Sequence, residues 1–261
     1  MIDTVQALLA ALSGIAVGFT LGLVGGGGSI LAVPLMVYVV GVKSPHLAIG
    51  TSALAVAANA LAGLANHARA HNVNWRCGST YALAGVLGAF AGSTLGKAVD
   101  GQKLLFLFAL LMLIVAGLMF RGRGDTGVEG VVCNRDNFPK VASFGFGTGT
   151  LSGFFGIGGG FLIVPGLIAS TSMPIYRAIG TSLVAVSAFG LTTALNYAAS
   201  GLLDWGIAAS FIAGGVLGSV IGTKAAKQLS GSKGTLNTVF AAMIVVVALY
   251  TLYKSWVAMA A

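Results

Sequence analysis

The chain is predicted to be an all-α polytopic membrane protein made of two homologous inverted repeats, and three observations predict it. Of the 261 residues, 57% are hydrophobic and 8% charged, which leaves too little polar surface to cover a soluble globule. Apolar runs of membrane-crossing length fill nearly the whole chain, so the protein is one helical membrane domain and not a soluble domain with an anchor. The second half also repeats the first in order and spacing, a common build for secondary transporters.

Apolar segments of the first half are read at 4–24, 28–42, 46–68, 77–97 and 102–120, and those of the second at 139–157, 159–173, 177–199, 205–226 and 235–256. This divides the chain into a first transmembrane repeat (1–120), a polar linker (121–138) and a second repeat (139–261). The first segment starts after Asp3 with no basic residue among Met1–Gln6, unlike a secretory signal, so it is expected to remain as a helix. The second segment of each half is about 15 residues, short of the roughly 20 a straight crossing needs. It is a half-helix, a re-entrant piece or one arm of a broken hairpin.

The repeat is read from particular residues. "GLVGGGGSILAVP" (22–34) lies over "GFFGIGGGFLIVP" (153–165), matching at Gly22, Gly25, Gly27, Gly28, Val33 and Pro34. "AIGTS" at 48–52 recurs unchanged at 178–182, Asn66 pairs with Asn196, Trp75 with Trp205, and "AGVLGAFAGSTLGK" (84–97) with "GGVLGSVIGTKAAK" (214–227). The basic residues choose among topologies. With five crossings per half and the N-terminus outside, Arg69, Arg76, Arg121, Arg123, Arg135, Lys140, Arg177, Lys224, Lys227 and Lys233 fall inside, against Lys43, Lys97, Lys103 and Lys254 outside. Four crossings per half split the fourteen evenly, so the positive-inside rule selects five plus five, with the second half upside down and the linker cytoplasmic. The net charge of +8 is scattered over short loops, which speaks for topology and against nucleic acid.

The glycine runs are candidates for chemistry. A phosphate loop is excluded because Gly28 stands where its lysine must be and no half-buried strand leads in. A helix restarting after a glycine break exposes backbone N–H groups, which in lipid need a partner, and an anion suits them in both charge and geometry. Gly25, Gly26, Gly27, Gly28 and Ser29, with Gly156, Gly158, Gly159 and Gly160, are therefore candidate substrate contacts, and the two breaks are expected to face each other across a central cavity. Close helix packing is the alternative use of such glycines. A polar stripe of Thr51, Ser52, Asn59 and Asn66, copied as Thr181, Ser182, Thr192 and Asn196, adds uncharged donors on one helix face; hydrogen bonds between helices are its alternative use. His67 and His71, at a helix end, are read as solvated at the interface. Cys77 and Cys133 lack partners at metal-ligand spacing and are read as plain thiols, neither a zinc site nor a disulfide framework.

All six acids, Asp3, Asp100, Asp125, Glu129, Asp136 and Asp204, fall at segment ends or in the linker. A cation carrier would place a carboxylate on its pathway despite a cost of about 2.5–3.5 kcal/mol at mid-bilayer, so the pattern points away from cations and from a carboxylate proton relay. No acid–base pair or nucleophile set is placed for an enzyme, and no cofactor or metal is expected.

The two glycine elements ending in Pro34 and Pro165, each followed by "AIGTS", resemble the sulfite exporter TauE/SafE family of TSUP transporters along essentially the whole chain. The resemblance implies a multi-pass plasma-membrane (bacterial inner-membrane) carrier of small anions such as sulfite, sulfonates, sulfoacetate or thiosulfate. It carries over Gly25–Ser29 with Pro34, Gly156–Gly160 with Pro165, and the two Thr-Ser pairs. Ile157 replaces the counterpart of Gly26, so the half-sites are unequal. The expected function is an exporter working by alternating access on a small anion within the lipid bilayer. The competing reading is an anion channel or a non-transporting membrane scaffold. Substrate identity, direction, coupling ion and oligomeric state are left open by the sequence.

Overall fold

The computed structural model describes residues 3–121, 133, 137–157, 160–228 and 233–260. Every regular element among them is helical. The first half contains α1 (Thr4–Val24), a 3-10 segment (Gly25–Leu31), α2 (Ala32–Tyr38), α3 (Pro45–Arg69), α4 (Trp75–Ala98) and α5 (Gly101–Arg121). The second contains α6 (Phe138–Phe155), α7 (Gly160–Thr171), α8 (Ile175–Ala198), α9 (Trp205–Gln228) and α10 (Lys233–Ala260). Thr4–Val24, Pro45–Arg69, Gly101–Leu118, Ile175–Ala198 and Trp205–Ala225 are each long and apolar enough to cross a membrane. Large apolar side chains such as Leu83, Leu87 and Leu217 point outward, as lipid contact requires.

Local chemistry sets the ends. Asp3 caps α1 by accepting from the Val5 N–H; Ser44 accepts from Leu47 N–H with Pro45 at the first helical position; Asn74 accepts from Cys77 N–H. The predicted segment 28–42 is two pieces, because four consecutive glycines tolerate the tighter 3-10 winding before α2 begins. Pro34 consequently lies in the first turn of α2, just past the change from 3-10 to α winding, whereas Pro165 lies inside α7 and removes the donor to the Phe161 carbonyl.

The helices pack by exchange between halves: α1 on α9, α6 on α4, α3 on α8, α5 on α10, α3 on α9 and α8 on α4. Glycine makes the closest of these possible. A side chain at Gly14, Gly18 or Gly22 of α1 would run into the α9 backbone at Phe211, Gly215 or Ser219, and one at Gly145, Gly149 or Gly153 of α6 into α4 at Tyr81, Gly85 or Ala89. These are backbone-to-backbone contacts of the small-residue kind that holds membrane helices together. α3 and α8 are antiparallel, since His67 pairs with Tyr176 at one end (ring centroids 6.2 Å) and His46 with Tyr197 at the other (6.3 Å).

Two sequence expectations are corrected. Cys77 and Cys133 are joined in a disulfide: α5 returns antiparallel to α4, which brings residue 133 beside the start of α4 across a 56-residue separation that spacing alone does not reveal. The expected apposition of the two breaks also fails. Gly25 abuts Ile179 and Gly156 abuts Ile49, and along the antiparallel α3–α8 pair those two isoleucines are about 25 Å apart by helix rise. The segments following the breaks, not the breaks themselves, pack together, as the 3-10 segment lies against α7.

Candidate functional site

Each glycine break is seated in the "AIGTS" stretch of the other half. At the first break Gly25 takes φ +70, ψ −145, a conformation essentially reserved for glycine, against the side chain and carbonyl of Ile179. At the second, α6 closes with Gly156 in the left-handed region (φ +68) against Ile49. There Gly156 N–H donates to Gly153 O and Ile157 N–H to Ser152 O, both at 3.2 Å, the pattern of a Schellman cap. The difference between Gly26 and Ile157 thus shows as two unlike breaks: the first continues as 3-10 helix, and the second ends in a cap with Ile157 fully buried.

The remaining "AIGTS" residues extend the lock. Gly50 lets the Leu202 carbonyl pass, and Gly180 that of Asn72. Asp204 N–H donates to Thr51 Oγ1 at 3.0 Å and Asn74 N–H to Thr181 Oγ1 at 2.9 Å. Asp204 Oδ1 in turn accepts from the N–H groups of Gly206 and Ile207 at the start of α9, as Asn74 does for α4. Ser52 and Ser182 turn inward, donating to the carbonyls of Ile49 (3.0 Å) and Ile179 (2.8 Å). All four hydroxyl residues are fully buried.

The asparagines divide. Asn59 is wholly buried midway along α3, and neither its Oδ1 nor its Nδ2 has a hydrogen-bond partner; its amide presses on the backbone of Gly215. The repeat puts Phe189 in the equivalent place, against Gly85, so the polar group is a departure from the internal symmetry. Asn196 is half-exposed at the end of α8, donating to Ser93 Oγ (2.6 Å) and Thr94 Oγ1 (3.0 Å) and accepting from Lys97 Nζ (2.8 Å). Asn66 is half-exposed at the end of α3. Thr192 donates to Ala188 O within its own helix. Gly26, Gly27, Gly28 and Ser29 lie in the 3-10 segment, with Gly28 against Thr20 of α1; Gly160 opens α7, while Gly158 and Gly159 lie outside the described residues.

Sequence reasoning misplaced one residue. His67 is buried, at 1% exposure, and is not solvated at an interface; His71 is exposed with φ +53. The signal available was its alignment with Tyr197, which is equally buried and whose hydroxyl has no partner. Charges sort to the two ends. Arg69, Arg76 and Arg177 gather where α3 ends and α8 begins, with Asn72 and Asn74 hydrogen-bonded to Tyr176 and Thr181. Lys97 lies at the other end with Asn196 and Ser200. The three described acids all cap helix starts at that other end, Asp3 on α1, Asp100 on α5 and Asp204 on α9. No group of three or more metal-ligating side chains forms among the described residues.

The chain is 52% identical over 260 residues to a probable membrane transporter protein of Xylella fastidiosa (strain 9a5c), covering 99% of this chain and 100% of that one. It is 28% identical over 195 residues to a probable membrane transporter protein of Methanocaldococcus jannaschii, covering 70% of each. With the probable membrane transporter protein YdhB of Bacillus subtilis it shares 25% over 210 residues, 79% of this chain and 85% of the relative. No solved structure matches it. Residues 10–251 match the family described as sulfite exporter TauE/SafE, and with the apolar helices described above the chain is a multi-pass plasma-membrane transporter protein that belongs to this family.

Proposed function

We propose that the chain is a secondary transporter that exports small sulfur-containing or organic anions, such as sulfite, sulfonates or sulfoacetate, by alternating access between two inverted sets of five membrane segments. The observation that carries the reading is Asn59, a fully buried carboxamide with both polar atoms unpartnered. Leaving such a group unpaired in an apolar interior costs about 2–7 kcal/mol, which is reasonable for a group held ready for a polar ligand. The charge pattern supports an anion: among the described residues, carboxylates are confined to helix starts. In this reading the substrate meets Asn59 midway and, in successive positions toward opposite ends, the break at Gly25–Ser29 with Thr181 and Ser182 and the break after Gly156 with Thr51 and Ser52, with Asn66 and Asn196 nearer the mouths. The exchange-related packing and the segregation of basic residues support the inverted arrangement, with 121–138 on the cytoplasmic side.

The test is flux in liposomes with sulfite, sulfoacetate, taurine, sulfate and acetate. A carrier gives saturable uptake accelerated by substrate on the opposite side; a channel or scaffold does not. Asn59→Leu should raise KM roughly 10- to 150-fold, the value of about 1.5–3 kcal/mol for a hydrogen bond to a charged group. An unchanged KM in a folded variant removes Asn59 from the site.

A further inference from the structure

We propose that His67 takes up a proton during the transport cycle and, on doing so, releases a tie between the two halves of the protein. The proposal rests on the anion-carrier reading above and adds to it the coupling ion and the residue that handles it.

The geometry determines the state of the ring. Asn72, in the turn after α3, points one amide atom at both the backbone carbonyl of Tyr176 (2.9 Å) and Nδ1 of His67 (3.1 Å). A backbone carbonyl only accepts, so that atom is the amide nitrogen, and Nδ1 of His67 must then be the acceptor. The imidazole is therefore neutral with its hydrogen on Nε2. Nε2 has no partner at hydrogen-bond geometry and faces the backbone of Gly22, one turn before the first glycine break. The amide of Asn72 thus links α3 of the first half to α8 of the second only while Nδ1 is unprotonated.

A proton can enter the ring only at Nδ1. The Nδ1–H it creates is a donor facing a donor, and the conflict is relieved by turning the amide so that Oδ1 accepts from Nδ1–H. The turn withdraws Nδ2 from the Tyr176 carbonyl and breaks the inter-half bond. No bond is made or broken apart from the proton transfer.

The surroundings tie this event to an anion. Tyr176 of α8 lies against the ring, and at this end of the molecule are Arg69 and His71 on its own segment, Arg76 at the start of α4 and Arg177 on α8. On α9, Lys224 adjoins Thr223, whose backbone touches Gly22. α1, the 3-10 segment and α2 bring no titratable side chain to this end, and no described carboxylate lies here. Among the described residues the charged groups at this end are all basic, a setting in which a bound anion is the fitting counter-charge for an imidazolium. Proton and anion then favour each other's binding, and by linkage the effect is reciprocal.

The test uses the full chain in liposomes loaded with a pH-sensitive dye and given methanesulfonate, sulfate or isethionate, which carry no proton at the pH used. Inward anion flux by the wild type should acidify the lumen. His67→Tyr, which installs the residue found at the equivalent position 197, should fold and keep anion counterflow while protons taken up per anion fall at least tenfold; His67→Gln should do the same. Net anion uptake without acidification in the wild type, or net uptake with acidification intact in either variant, overturns the proposal and leaves the carrier reading standing. Absence of counterflow for all of these anions and for the five tested above overturns both.

Discussion

Gly156→Ala tests the interlock between each break and the opposite "AIGTS" stretch. Gly156 holds φ +68, where an alanine costs about 1–2 kcal/mol. The added methyl also collides with Ile49 Cγ2 and reaches Ile49 Cβ at 3.0 Å; that side chain is 1% exposed and has nowhere to move, so overpacking adds about 1–3 kcal/mol. The total, about 2–5 kcal/mol, corresponds to a loss of about 4–20 °C in melting temperature at about 2–4 °C per kcal/mol. Thermal unfolding in detergent measures it. Ile49→Ala alone should also destabilise by leaving a cavity, by about 2–5 kcal/mol. Combined with Gly156→Ala it should recover the overpacking part, so the double variant is more stable than the sum of the singles by about 1–3 kcal/mol. Additivity within about 0.5 kcal/mol would refute the contact as the source of the cost, and a wild-type melting temperature for Gly156→Ala would refute the whole argument.

Thr51→Val and Thr181→Val each orphan the N–H of a helix-capping residue, Asp204 or Asn74, and each should lower stability by about 1–3 kcal/mol in the same melts; loss from one and not the other would contradict the equivalence of the two locks. A cysteine placed at residue 127, in a background lacking Cys77 and Cys133, should resist a membrane-impermeant thiol reagent in intact cells, and ready labelling would reverse the assigned orientation. Purified protein denatured without reductant should yield no alkylatable thiol, and two thiols after reduction; free thiols before reduction would contradict the disulfide.

Much of the fold was legible because membrane helices advertise themselves. The expected segment 4–24 is α1 residue for residue, and the other predicted segments overlap observed helices, since length and apolarity are the properties lipid selects. The 28–42 segment was legible as short but not as 3-10 plus α, because periodicity cannot register a change of winding within four glycines. The site was legible in outline only. Glycine runs and "AIGTS" stood out as two duplicated motifs, yet nothing in one dimension says that each packs on the other's partner. Periodicity set Thr51, Ser52, Asn59 and Asn66 on one face, but depth along α3 separates buried Asn59 from half-exposed Asn66. Cys77–Cys133 and buried His67 were missed for one reason: both depend on where a chain returns after a turn.

The co-occurrence of the two motifs follows from their packing and constrains how the protein can move. Ile49 fills the space beside Gly156 while Thr51, two residues on, accepts the cap N–H of α9; Ile179 and Thr181 do the same for Gly25 and α4. A shift of either break therefore disturbs the N-terminus of α3 or α8, and through the threonine the start of a fourth helix that itself packs on the first helix of the opposite half. Such a circuit has few small intermediate displacements, because each contact is between close-packed backbone or a fixed hydrogen bond, and close-packed interfaces move between discrete arrangements. The two circuits are also chemically unequal. The first has His67 against Tyr176, and the second has Tyr197 against His46 and beneath Lys97. Asn59 on one side answers to Phe189 on the other. Duplication supplies the paired mechanical elements, and these substitutions are where the halves have stopped being interchangeable.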